Sequence, residues 1–132
     1  KSVNDRFGHD AGDRVIARIA RLLEDAAGEE SLVARWGGEE FAILLSDTGH
    51  QSAVRVAERL RRQIEKLNIQ FNDNQIHLEA SIGVIACRKR EPLEQAMQRV
   101  DLCLRQAKAE GRNRITVYPE DMPAQTEAMS VA

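Results

Sequence analysis

The stretch FAILLS, residues 41–46, most limits what this chain can fold into. Successive strand side chains point to opposite faces, so a strand apolar at consecutive positions must be covered on both sides or lie centrally in a sheet. Just before it, RWGGEEF (35–41) places Gly37, Gly38, Glu39 and Glu40 after another short apolar run at 32–36. A glycine pair between two such runs reads as a hairpin turn. The chain must therefore build a hairpin around an inner strand and supply helices to pack on it.

Helical periodicity supplies them. Val15, Ile16, Ile19, Ala20, Leu22, Leu23 and Ala26 form one face of a helix from about residue 13 to near 28. The preceding KSVNDRFGHDAG (1–12) reads as a turn and loop, with Asp10 suited to cap that helix. A second helix over about 51–67 turns Ala53, Val56, Ala57, Leu60 and Ile64 inward. Its outer face, with Arg55, Glu58, Arg59, Arg61, Arg62 and Glu65, reads as solvated. FNDNQ (71–75) is a turn, with room for a small hairpin. HLEASIGVIAC (77–87) is the clearest strand, with Leu78, Ala80, Ile82, Val84 and Ala86 on one face. A third helix follows Pro92 and stops at Gly111, and ITVY (115–118) closes the pattern. The sequence predicts an α+β fold, a mostly antiparallel sheet flanked by helices, over residues 1–120. Residues 121–132 lack periodicity and read as a disordered tail.

At 132 residues, with 42% hydrophobic and 30% charged side chains, one soluble domain is expected. A net charge of -2 argues against a general nucleic-acid binder. Cys87 and Cys103 sit far apart in apolar surroundings, which suggests buried thiols in a reducing, cytoplasmic setting. No apolar run has transmembrane length and no signal peptide opens the chain. The first residue is Lys, so the sequence reads as a piece of a longer polypeptide.

Three features carry chemistry. Glu39 and Glu40 leave a Gly-Gly turn where a soluble hairpin tip and a hard-oxygen site for Mg²⁺ are both open readings. Gly37 and Gly38 would let backbone approach a nucleotide closely. In KAEGRNR (108–114), Lys108 and Arg112 are spaced to share a helical face, either complementing the helix dipole or clamping a polyphosphate. In NDRFGHDAGD (4–13), Asn4, Asp10 and Asp13 either cap a helix or read a base. A carboxylate accepts from both the ring N–H and the exocyclic amine of guanine, a donor pair adenine lacks. His9, His50 and His77 show no ligand spacing and read as structural, and Ser81 reads as a packed strand residue. Together these signals point to a purine nucleoside triphosphate with a metal ion.

NDRFGHDAGD, RWGGEEF, SIGV and AKAEGRNR, in this order and spacing, closely resemble the GGDEF family of diguanylate cyclases, from Lys1 to about Tyr118. The resemblance implies a fold related to nucleotidyl cyclases and polymerase palms. It implies that two GTP condense to cyclic di-GMP, releasing two pyrophosphates, on a homodimer with Mg²⁺ or Mn²⁺. Glu39 then resembles the metal ligand of the signature loop, and Glu40 the neighbouring acid that assists catalysis or metal binding. Gly37 and Gly38 would pass close to the nucleotide. Asn4 and Asp13 match the guanine-reading pair, Lys108 and Arg112 the phosphate clamp.

There are departures. Family members carry a central strand with a metal-binding Asp, and preceding helices, ahead of the segment matching Lys1. Their absence here predicts two open sheet edges that another chain could fill, and an inactive fragment. An inhibitory RxxD product site has no counterpart, because Gly28, Glu29, Glu30 and Ser31 stand there. Arg105 replaces a usual Tyr. Regulatory domains in such proteins usually lie N-terminal, and the parent could be membrane-attached. The competing reading is a degenerate module that binds GTP or a protein partner and regulates a neighbouring domain.

Overall fold

The computed structural model describes residues 3–118 and 126–131. It opens with α1 (Val3–Phe7) and α2 (His9–Ala27). The loop expected over 1–12 is thus helical on both sides of Gly8, whose φ of +92° ends one helix and starts the next. Gly8 occupies the N-cap position expected for Asp10. Asp10 falls instead in the first turn of α2, where its charge complements the helix dipole. α2 buries Ala11, Val15, Ile19 and Leu23, the face its periodicity predicts.

β1 (Leu32–Arg35) and β2 (Phe41–Ser46) form the expected hairpin, with Leu32 opposite Leu44 and Arg35 opposite Phe41. Phe41, Ile43 and Leu45 enter the main core with α2 and with α3 (His50–Lys66). β3 (Asn68–Phe71) and β4 (Asn74–His77) make a separate small hairpin, turned at Asn72 with φ +54°. The strand expected over 77–87 therefore divides. His77 pairs with Asn68, and only β5 (Ile82–Ala86) joins the main sheet.

All of β5 is buried, so it does not alternate. Ile82 and Val84 face the main core, and Ile85 faces α4 (Leu93–Ala109). α4 lies directly on the β5 backbone: a Cβ on Gly83 would come within 2.7 Å of the Val100 carbonyl oxygen. β6 (Ile115–Val117) runs parallel to β5.

The largest correction concerns the tail. Residues 119–125 and 132 lie outside the described residues, but Thr126–Val131 form β7, the middle strand of a five-stranded sheet ordered β1-β2-β7-β5-β6. β7 is antiparallel to both neighbours, with Met129 opposite Ile43 and Val84, and Val131 opposite Phe41 and Ile82. The edges of β2 and β5, expected to stand open, are filled by the chain's own segment. The driving force is plain: β2 and β5 carry apolar residues on both faces, and buried backbone donors and acceptors need partners. Met129 and Val131 enter the main core, and Ser130 Oγ, on the other face, donates to the Phe41 carbonyl at 3.4 Å. The sheet is mostly antiparallel, as expected, with β5–β6 its parallel pair.

The second core, around Ile85, Ala96, Val100 and Cys103, is closed at its rim by an ion pair. Glu91, its side chain 4% exposed, accepts from Arg99 Nε at 2.8 Å and Nη2 at 2.5 Å, and Arg99 also donates to the Ala86 carbonyl. Those Arg99 bonds hold the Glu91 carboxyl below the usual carboxylate range despite burial, and the Arg88 N–H adds to the effect. Neither Cys87 nor Cys103 is in a disulfide, and burial pushes the Cys103 thiol up. Among the described residues no helix is long and apolar enough to cross a membrane.

Candidate active site

The hairpin tip is a turn over residues 37–40, closed by Glu40 N–H to the Gly37 carbonyl at 3.4 Å, with Trp36 N–H donating to the Glu40 carbonyl at 2.8 Å. Arg35 fastens it from the side: Nη2 and Nε donate to the Gly38 carbonyl at 2.8 and 3.2 Å. Glu39 thus stands within the turn and Glu40 at its exit. Neither glycine has positive φ, and a Cβ on either would meet nothing within 4 Å. Neither backbone conformation nor packing within the chain demands glycine there. What the pair leaves is open space over bare backbone, suited to the close approach of a ligand.

The second component is the end of α4. Gly111, at φ +124°, takes the left-handed position after the helix, and Arg112 N–H donates back to the Ala107 carbonyl at 3.0 Å. This is a Schellman stop, dictated by the Gly in AEGRN. Arg112 and Asn113 continue with φ of +61° and +46°, strained for residues other than glycine. The strain is held from outside. Arg61 on α3 donates to Asn113 Oδ1 at 3.0 Å, and Asn113 Nδ2 donates to Glu65. Two members of the face expected to be merely solvated, Arg61 and Glu65, therefore brace the turn that presents Arg112. The same Arg61, with Arg62, holds the Glu58 carboxyl below its usual range.

α1 and α2 supply the third component. Asn4, Asp13, Gly38, Glu39 and Arg112 line one cleft of about 450 Å³, floored by the 75–81 segment. That volume suits a small-molecule ligand. The expected arrangement of Lys108 and Arg112 on one helical face does not occur, because the helix ends between them. Lys108 Nζ instead lies 3.8 Å from Glu40 Oε1, and Gly37, Glu40 and Lys108 are outside the lining of the cleft. His77 and Ser81, read as structural, belong to its floor, with Ser81 buried. Arg105 makes an exposed ion pair with Asp101 at 2.7 Å, a contact of small energetic weight.

Chemically, the cleft brings the polar side chains of Asn4 and Asp13 together with Gly38 and Glu39 of the turn and with the Arg112 guanidinium. Among the described residues no group of three or more His, Cys, Asp or Glu gathers in one place. At the end of β7 nearest the hairpin stand Ser130 and Val131, so the central strand adds no carboxylate to Glu39 and Glu40 there. Those two acids suit a Mg²⁺ shell that takes its remaining oxygens from phosphate and water. Sequence reasoning missed Arg35, Arg61 and Asn113. Their side chains act on carbonyls and amides through the fold, and only Asn113, in a Gly-Arg-Asn turn, leaves a local signal.

Comparison with known proteins bears on this site. Residues 1–114 match the family model described as diguanylate cyclase, GGDEF domain. Diguanylate cyclase A of Treponema denticola is 35% identical over 124 residues, which cover 93% of this chain and 33% of that protein. The chain thus spans about a third of that relative's length. Among solved structures, diguanylate cyclase SiaD of Pseudomonas aeruginosa, in complex with its activator SiaC, superposes with a TM-score of 0.83 at 40% identity, covering 88% of this chain and 45% of SiaD. The active GGEEF domain of a diguanylate cyclase from Vibrio cholerae gives 0.77 at 32% identity, covering 90% and 76%.

Proposed function

The chain belongs to the GGDEF family, and we propose that within its full-length protein it is the catalytic domain of a diguanylate cyclase. Two GTP molecules would condense to cyclic di-GMP with release of two pyrophosphates. The observation that supports this most is the single cleft joining Asn4 and Asp13 to Gly38, Glu39 and Arg112. The Asp13 carboxylate accepts the paired donors of guanine, with Asn4 beside it as a second polar contact. The triphosphate then runs toward the turn, where bare backbone at Gly37 and Gly38 gives it room. Arg112 offers a planar fork to the phosphates and Lys108 a point charge. Lys108 can exchange its long, half-exposed contact with Glu40 for a phosphate oxygen at little cost.

Glu39 and Glu40 would hold Mg²⁺ or Mn²⁺, which when bound offsets phosphate charge and makes the attacking hydroxyl more acidic. Each ribose 3′-oxygen forms a bond to the α-phosphorus of the other GTP, the α–β anhydride bond breaks, and pyrophosphate leaves. Glu40, at the exit of the turn, would receive the hydroxyl proton. One cleft holds one GTP, so joining two requires two copies of the domain face to face, a homodimer.

Full-length protein incubated with GTP and Mg²⁺ tests the reading. Cyclic di-GMP should form, and Glu39→Ala or Glu40→Ala should lower its rate by at least about a hundredfold. GTP binding with no product from the wild type would favour the regulatory-module reading instead.

A further inference from the structure

Gly12 lies early in α2, in regular helix, with its N–H donating to the Gly8 carbonyl at 3.2 Å. Its φ is not in the left-handed region, and glycine is the poorest helix former after proline. Backbone conformation therefore gives no reason for a glycine at this position. The neighbouring side chain does. A Cβ on Gly12 would overlap Asn4 Oδ1 and lie 2.7 Å from Asn4 Cγ and 3.3 Å from Asn4 Nδ2. Asn4, Gly12 and Asp13 all line the same cleft.

We propose that Gly12 is a positioning residue for base recognition: its missing side chain is the slot that seats the Asn4 carboxamide in the cleft beside Asp13. The proposal rests on the reading of this cleft as a GTP site and adds a determinant of its specificity. The backbone of Asn4 is anchored, since its carbonyl accepts from Gly8 N–H at 2.9 Å. The carboxamide beyond it is exposed. A methyl group at position 12 would therefore turn the amide out of its slot without unfolding anything. Helix propensity and recognition then pull in opposite directions, which a purely structural glycine would not produce.

The experiment uses the whole chain in Mg²⁺ buffer, with GTP and ATP affinities by calorimetry and melting curves for Gly12→Ala, Asn4→Ala and the double variant. Gly12→Ala should melt at or above the wild type, bind GTP about tenfold more weakly, the loss of one well-placed hydrogen bond, and leave ATP affinity unchanged. The double variant should bind no more weakly than Asn4→Ala alone, because both changes remove one interaction. Additive losses, or full GTP affinity in Gly12→Ala, would overturn the proposal. A wild type that does not prefer GTP to ATP would overturn the guanine reading itself. The Asn4 side-chain amide resonances, recorded without nucleotide, then decide the positioning separately: they should shift in Gly12→Ala, and unmoved resonances would refute it.

Discussion

Arg35 directs two donors at one carbonyl, that of Gly38, and so fixes a turn that glycine would otherwise leave loose. Arg35→Ala should change stability by under about 0.5 kcal/mol, since the side chain is exposed. On the proposed function, product formation by the full-length protein should nonetheless drop by roughly tenfold or more, because small misplacements of reacting groups are costly. Denaturant midpoints and turnover measured side by side check both halves. Glu91 is the opposite case, distant in sequence from every motif yet energetically heavy. Its folded-state carboxyl lies below the usual 4.5. The stabilisation is therefore complete above that value and lost as pH falls through the lower folded-state one. Glu91→Gln should cost about 3 kcal/mol at pH 7, by removing the carboxylate that neutralises the Arg99 charge, and flatten the acid limb of the stability profile. At this scale the sequence pointed to residues that the structure brings to one cleft, such as Glu39 and Asp13. It hid Arg35, Arg61, Glu91 and Arg99, whose partners are set by the turn and by packing.

The elements were legible where periodicity runs long. α2, α3 and α4 follow their apolar stripes, and β1 and β2 bracket the glycines as expected. Short pieces failed. α1 has only five residues, too few for a pattern, and the 77–87 run concealed a break after His77 because apolar residues continue through it. β7 failed for a related reason: TEAMSV offers one brief alternation, and its place is set by the needs of β2 and β5 rather than by its own composition. A direct test is Met129→Ala. With Met129 1% exposed between β2 and β5, it should cost about 3 kcal/mol in urea or thermal unfolding. The same change in an irregular tail would be nearly neutral.

At the scale of the molecule, the cleft is assembled from places far apart in the chain, the opening helices, the hairpin and the stop after α4. Each carries its own motif, which is why several residues lining the cleft could be named from the sequence while its supports could not. The whole also sets a limit. With Ser130 and Val131 beside the hairpin, the 132-residue chain alone should form no cyclic di-GMP from GTP, a result that product analysis by mass spectrometry can check. β7 has a further consequence, in time rather than in space. Within the sheet, β2 and β5 are joined through a strand whose contacts close very long loops: Ser130 reaches a carbonyl 89 residues earlier. Helices and the β1–β2 hairpin can form early, but the sheet cannot join its two halves until this late segment docks. Refolding should therefore be slow for a chain of this size, with amides of β2 and β5 becoming protected from hydrogen exchange in a single step.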